Sequence, residues 1–363
     1  MTQPARRYDV ALLDLDGVVY LGPTPIVGAA EALAAARTAG MRLAFVTNNA
    51  SRTPEAVADR LREMGVQADP AEVVTSSQAA CHVLAERLPA GAAVLVVGGE
   101  GLQREAAERG FKVVTSADDE PVAVVQGYGA GVGWRELAEA AVAVRRGAWW
   151  VATNLDLTIP SVRGPLPGNG ALVGVVRAVT GAEPQVTGKP DPAMHRESVQ
   201  RSAAMNPIVV GDRLDTDIEG ASRVGCDSLL VLTGVTTPAD LLVAPPERRP
   251  TYVSAGLDGL LSPYAAPVPD GDGWSCEGWT ATTGPDGLRL AGAGGDVAAL
   301  RALCAAAWAG RPGSVRGDGT AAAGAVERLG LAGDGGLAAG GSGSPSDGPR
   351  GGPIRPEFRS PGW

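Results

Sequence analysis

At 363 residues the chain is too long for one ordinary compact core, and its length points to two or three domains. Hydrophobic residues make up 45% and aromatics only 4%, so Ala, Val and Leu must fill the interior, as in Val-rich strands alternating with Ala-rich helices. A formal net charge of -9 without any basic run weighs against nucleic acid as a partner, and no apolar stretch approaches the length of a membrane span.

In chain order, residues 8–13 read as a short apolar strand, 25–39 as an Ala-rich helix closed by Gly40, and 41–46 as a second buried strand. Helical patterns cover 54–64 and 76–88, followed by a strand at 92–97 and its turn at Gly98-Gly99. The block 91–181 repeats this grammar, with strands near Val94, Val122 and Trp150 and helices at 102–109, 134–145 and 171–179. A helix at 192–205, a strand at 207–210, a helix at 215–224 and a strand at 228–232 then resume the first series, so the middle block reads as an insertion. Beyond about Pro263 the composition turns to Gly, Ala, Pro and Asp, with a strand at 288–291 and an amphipathic helix at 297–308, a small extra module. Residues 333–363, rich in Gly, Ser and Pro, are expected to be disordered. Four widely spaced cysteines, Cys81, Cys226, Cys276 and Cys304, show no CxxC spacing and read as free thiols, and residues 1–10 carry no long apolar leader. Both point to the cytoplasm.

Four segments carry chemistry. Asp14-Leu15-Asp16-Gly17 leaves the first strand, where a period of two turns both carboxylates to one side and ligands of open parallel sheets collect. Such carboxylates can hold Mg²⁺, and Gly17 lets the backbone approach a bound group. Thr47-Asn48-Asn49, after the second strand, offers a hydroxyl and backbone amides to a phosphoryl oxygen. Gly188-Lys189-Pro190-Asp191-Pro192 presents one lysine, a compact charge for phosphate, on a stiff turn ahead of a helix. Gly211-Asp212-Arg213-Leu214-Asp215-Thr216-Asp217 leaves another strand, with Asp212 placed to meet a metal and Asp217 at the start of a helix. Each has a plain alternative when taken alone: an acidic turn, an Asx turn, a solvated loop lysine, and helix caps at Asp215 and Thr216. Together, in this order and at strand ends, they are specific. His82 and His195 both fall on helices and read as packing or surface residues, and no GxxxxGK[ST], HExxH or G-x-S-x-G motif occurs.

The segments DLDGV, TNNASR, GKPDP and GDRLDTDIEG resemble the four motifs of the haloacid dehalogenase superfamily, in the form of its phosphatases with a large α/β cap, over residues 8–262. The likeness is to the group of the N-acetylglucosamine-operon phosphatase, 4-nitrophenylphosphatases and pyridoxal phosphate phosphatases. Within it, actinobacterial glycerol 3-phosphate phosphatases are nearest, and they carry an extra C-terminal module similar to part of a GNAT-type acetyltransferase fold. The resemblance implies an α/β fold: a Rossmann-like parallel-sheet core with helices on both faces (1–81 and 182–263), an inserted α/β cap for substrate specificity (82–181) and a small α+β module (264–332). It implies Asp14 as nucleophile and Asp16 as general acid and base, with Mg²⁺ held by Asp14, the Asp16 backbone carbonyl and Asp212. Thr47, Asn48, Asn49 and Lys189 would bind the phosphoryl group, with Gly17 and Asp217 supporting, Asp217 by orienting Lys189 or a metal-bound water. The expected partner is a small phosphorylated metabolite, glycerol 3-phosphate first and 4-nitrophenyl phosphate, a nucleotide monophosphate or a sugar phosphate as alternatives, with neither nucleic acid nor membrane involved. A homodimer is compatible with this reading. Ile159 stands where pyridoxal phosphate phosphatases commonly carry histidine, which points away from an aromatic aldehyde substrate. Two rival classes are a phosphate-binding module without turnover and an acetyltransferase built on the C-terminal module, whose one candidate pyrophosphate loop is Gly292-Ala293-Gly294-Gly295.

Overall fold

The computed structural model describes residues 3–332 apart from 160, 162, 311 and 312, so the tail expected at 333–363 lies outside the described residues. A single-turn helix α1 (Pro4–Arg7) leads into strand β1 (Val10–Leu13), a hairpin of β2 (Tyr20–Leu21) and β3 (Thr24–Pro25), helix α2 (Ala29–Thr38), strand β4 (Arg42–Thr47), helix α3 (Pro54–Glu63), strand β5 (Val73–Thr75) and helix α4 (Ser76–Ala85). The chain then leaves for a second unit: β6 (Ala93–Val97), α5 (Glu100–Glu108), β7 (Lys112–Val114), β8 (Ala123–Gln126), α6 (Trp134–Arg145), β9 (Trp149–Ala152), a hairpin of β10 (Thr158–Ile159) and β11 (Leu166–Pro167), α7 (Asn169–Thr180) and β12 (Gln185–Val186). It returns through α8 (Pro192–Ser202), β13 (Pro207–Gly211), a π turn at Leu214–Ile218, α9 (Glu219–Arg223), β14 (Asp227–Val231), α10 (Pro238–Leu242) and β15 (Tyr252–Ser254).

The first sheet is parallel throughout, in the order β15-β14-β13-β1-β4-β5, with β1 at its centre. All four β1 residues are buried, Ala11 and Leu13 against one apolar cluster and Val10 and Leu12 against another, because helices cover both faces. The second sheet, also parallel, runs β12-β9-β8-β6-β7 and takes in Gln185–Val186, past the expected return to the core at residue 182. Helix α2 starts at Ala29, later than the pattern suggested, because Thr24 and Pro25 pair with Leu21 and Tyr20 and Gly28 turns into the helix at φ 81°. Strands β5, β7 and β12, of two or three residues, are too short to show a period in sequence.

The C-terminal unit is richer in strands than its composition suggested. Strands β16 (Val268–Asp270), β17 (Gly273–Cys276), β18 (Trp279–Gly284) and β19 (Gly287–Gly292) are antiparallel, and β20 (Ser314–Asp318) joins β19 in parallel, with helices α11 (Asp296–Ala309) and α12 (Thr320–Arg328) packed on them. Helix α11 buries residues nearly all round because it lies between this sheet and the core: Leu300 and Leu303 share an apolar cluster with Leu230, Leu241 and Val253. Arg301 donates two hydrogen bonds, 2.8 and 3.1 Å, to the Val253 carbonyl on edge strand β15, so the unit covers an edge that would otherwise be open.

Candidate active site

Three neighbouring strands of the core sheet, β4, β1 and β13, deliver Thr47, Asp14 and Asp212 at their carboxyl ends, where the parallel topology leaves a crevice. The loop before α8 adds Lys189. Its ammonium lies 2.5 Å from Asp14 Oδ1 and 2.7 Å from Asp217 Oδ1, and these side chains are 4%, 14% and 1% exposed, so one buried cation is shared by two carboxylates. Burial works against the charged amine, but the charges of Asp14 and Asp217 prevail and hold Lys189 above the usual lysine range. Burial likewise pushes Asp14 up to about 8, against the pull of Lys189, and pushes Asp212 up to about 6, helped by the charge of Asp217.

Oxygens of Asp14, Asp212 and Asp217 come within 4.8 Å of one another. Asp212 Oδ2 accepts from the Val235 amide at 2.7 Å, while its Oδ1 is buried without a partner. An orphaned carboxylate oxygen in an all-oxygen cluster suits a hard divalent cation, whose charge would offset the crowding of three carboxylates. Gly17, at φ +82°, permits this packing, since a Cβ there would stand 2.3 Å from Asp212 Oδ2. Asp16 stands apart from the cluster and is exposed, yet surrounding groups that withdraw water raise its pKa, against the charge of Arg60.

The Thr47-Asn48-Asn49 segment is drawn in differently. The Thr47 hydroxyl accepts from the Asn49 amide at 3.1 Å and keeps its own proton to donate. Asn48 is a tie: its Oδ1 accepts from the Lys189 amide at 2.9 Å, and its Nδ2 reaches the Lys189 carbonyl and Asp156. Asn49 Oδ1 accepts from the amide and hydroxyl of Ser51, an Asx turn, and its own amide is spent on Thr47, so what this segment keeps for a phosphoryl group is the Asn48 backbone amide and the Thr47 hydroxyl. Asp215 does not cap a helix. The chain enters a π turn there, and its carboxylate pairs with Arg213 at 2.9 Å instead. His195 is buried with neither ring nitrogen bonded, and burial lowers its pKa to about 4; His82 Nδ1 lies 2.9 Å from Glu197 on α8.

Sequence reasoning passed over the loop after β14. The Thr233 hydroxyl donates to the Gly17 carbonyl at 2.5 Å, and a Cβ at Gly234 would press on Asp212 Oδ2 at 2.0 Å, so this loop walls the carboxylate. Its signal was position alone, at one more strand exit. From the inserted unit, Asn154 Nδ2 donates to the Asn48 carbonyl at 2.7 Å, and Asp156 and Leu157 border a cavity of about 500 Å³ together with Lys189 and Arg213. A larger cavity of about 640 Å³ lies wholly within the inserted unit and contains none of the expected site residues.

Haloacid dehalogenase-like hydrolase models match residues 11–112 and 186–260, and a GCN5-related N-acetyltransferase-like model matches 276–331. A D-glycerol 3-phosphate phosphatase of Mycobacterium tuberculosis is 44% identical over 325 residues, 86% of this chain and 89% of that protein. The chain belongs to the haloacid dehalogenase-like hydrolase family. An acid sugar phosphatase of Staphylococcus aureus, another relative, is 40% identical across 71% of this chain and 98% of its own length. Among solved structures, a glycerol phosphate phosphatase from Mycobacterium tuberculosis in complex with magnesium superimposes with a TM-score of 0.83 at 42% identity, covering 92% of this chain and all of that one. The likeness to that structure thus takes in the C-terminal unit as well as the haloacid dehalogenase-like core.

Proposed function

We propose that the chain is a Mg²⁺-dependent phosphatase that hydrolyses a small phosphomonoester, glycerol 3-phosphate, to the alcohol and inorganic phosphate. The observation that carries this reading is the buried Lys189 ammonium bonded to both Asp14 and Asp217, beside the unpartnered Asp212 oxygen. Asp14 attacks phosphorus, the bond from phosphorus to the alcohol oxygen breaks, and Asp16 gives its proton to the departing oxygen. Water then attacks the aspartyl phosphate, Asp16 takes the proton, and Asp14 is released with phosphate. Lys189 and the Thr47 hydroxyl stabilise the charge on the transferring group, with the backbone amide of Asn48, and Asp217 holds Lys189 in place. Asp14, Asp212 and the Asp16 carbonyl would hold Mg²⁺, which neutralises phosphoryl charge when bound.

The inserted unit acts as a cap that selects the alcohol, a role supported by Asp156 and Leu157 bordering the cavity at Lys189. The name of the mycobacterial relative favours glycerol 3-phosphate, and that of the staphylococcal one supports a sugar phosphate as second choice. The C-terminal unit is a structural or regulatory remnant and not a second enzyme. In its candidate loop the Ala293 amide is spent on the Gly278 carbonyl at 3.1 Å, and Trp279 Nε1 donates to the Gly295 carbonyl at 3.0 Å, which ties the loop to the sheet. Among the described residues no helix is long and apolar enough to cross a membrane, and four free thiols support a reducing, cytoplasmic setting. A panel of glycerol 3-phosphate, sugar phosphates, nucleotide monophosphates and 4-nitrophenyl phosphate, ranked by kcat/KM with Mg²⁺ and again with EDTA, tests the reading. Glycerol 3-phosphate should rank first. Full activity in EDTA overturns the metal assignment, and no turnover of any ester overturns the phosphatase.

A further inference from the structure

Asp16 owes its place to a small piece of structure with little to hold it. The amides of Val18, Val19 and Tyr20 all point at the Leu15 carbonyl, at 3.3, 2.9 and 3.2 Å, and the Gly17 amide donates to the Tyr20 carbonyl at 2.8 Å. The turn carrying Asp16 is therefore closed by Tyr20, the first residue of the β2–β3 hairpin. That hairpin has only two residues per strand, and Leu21, Thr24 and Pro25 are exposed. A hairpin so short has no stability of its own in water.

One side chain from outside grips it. Arg60, on the second turn of α3, lays its guanidinium over the Tyr20 ring, 5.0 Å from the centroid, and its Nη2 donates to the Gly22 carbonyl at the hairpin tip. Tyr20 is buried beneath it. Asp16 and Tyr20 form an isolated β-bridge, so the residue that Arg60 covers is paired directly with the one that carries the carboxyl. Helix α3 is a firm base for this grip, capped by the Thr53 hydroxyl on the Ala56 amide and anchored by buried Val57, Ala58 and Leu61.

We infer that Arg60 is a positioning residue for the proposed reaction: by clamping Tyr20 and Gly22 it keeps the Asp16 carboxyl aligned with the leaving oxygen. The inference rests on the phosphatase reading, with Asp16 as the proton donor. An alkoxide leaving group needs that proton far more than 4-nitrophenolate does, so misplacing Asp16 should show as leaving-group dependence, which a general loss of structure would not produce.

The test uses the full chain with saturating Mg²⁺ and times alcohol release in a single turnover on glycerol 3-phosphate and on 4-nitrophenyl phosphate. Arg60→Met keeps the aliphatic stem and removes donor and charge. It should slow release from glycerol 3-phosphate by about tenfold or more and from 4-nitrophenyl phosphate by about threefold or less, with KM little changed. Arg60→Lys, which restores a cation over Tyr20, should recover most of the loss. Equal losses on both esters, an effect confined to KM, or a lysine variant no better than methionine overturns the role of Arg60. If Arg60→Met does not fold, Arg60→Gln is read by the same criteria. A wild-type enzyme inactive on both esters overturns the phosphatase reading and this inference with it, whereas an active wild type with equal losses overturns Arg60 alone.

Discussion

Replacing Gly17 by Ala asks whether the Asp212 carboxylate has any room to move. The added methyl would stand 2.3 Å from Asp212 Oδ2, where ordinary contact begins at 3.4 Å, so the carboxylate or the Gly17 loop must shift by about 1 Å. Movement of the carboxylate is restricted, because Oδ2 is held by the Val235 amide at 2.7 Å and Gly234 packs so near the same oxygen that a Cβ there would stand 2.0 Å away. The loop itself resists, since Gly17 sits at φ +82° and an L residue there costs about 1–2 kcal/mol. That strain should lower the melting temperature by roughly 2–8 °C. A displacement of this size at a reacting centre costs on the order of 10²-fold, which is the expected fall in kcat/KM, accompanied by a higher Mg²⁺ concentration for half-saturation. Phosphate release across a Mg²⁺ titration, with a parallel calorimetric titration, measures both. A Gly17→Ala enzyme with unchanged Mg²⁺ dependence and a kcat/KM within about twofold of wild type would falsify the packing argument.

Three further outcomes are expected. In the proposed mechanism Asp16→Asn leaves the nucleophile intact and removes the proton donor, so the single-turnover burst of alcohol should fall by about 10²–10⁴-fold on glycerol 3-phosphate and much less on 4-nitrophenyl phosphate; equal losses would refute its role as general acid. Lys189→Met strips the shared cation from Asp14 and Asp217 and, in EDTA, should cost about 3–5 kcal/mol of unfolding free energy, with a loss below about 1 kcal/mol by denaturant titration counting against a buried pair. The pH dependence of the EDTA-treated protein follows from raised carboxyls: Asp14, moved from 3.8 to about 8, and Asp212, moved to about 6, favour the folded state at low pH and withdraw that stability as pH rises. His195, lowered from 6.5 to about 4, acts oppositely between those values, so the clear window is pH 6.5 to 8, where the melting temperature should fall with rising pH. Saturating Mg²⁺ should flatten that slope, and a rise across the window without metal would contradict the burial of Asp14.

Much of the core was readable because it obeys local rules. Strands such as Arg42–Thr47 hold a continuous apolar run, here Leu43 to Val46, helix Trp134–Arg145 repeats its buried residues with helical spacing, and the chemistry-bearing segments sit where strands end. The C-terminal sheet was not readable, since Gly273–Cys276 and Trp279–Gly284 carry Gly, Ser and Thr between their few inward residues and only pairing with neighbours makes them strands. Asn48 and Asn49 show a similar limit: their types suit a phosphate, but in the fold their side chains close the Lys189 loop and an Asx turn.

The sequence by itself determined the parallel α/β core, the insertion, and the identity of the residues at the strand exits, because periodicity and turn chemistry act over a few neighbouring positions. Tertiary structure alone decided that Lys189 is shared between Asp14, 175 positions away, and Asp217. It also decided that Asp212 is pressed between two glycines with one oxygen unpartnered, and that Arg60 reaches the hairpin beside Asp16. Those relations depend on distant segments meeting under burial, where a missing partner or an added methyl changes the energy of a charge, and nothing in the local pattern of residues records which segments will meet.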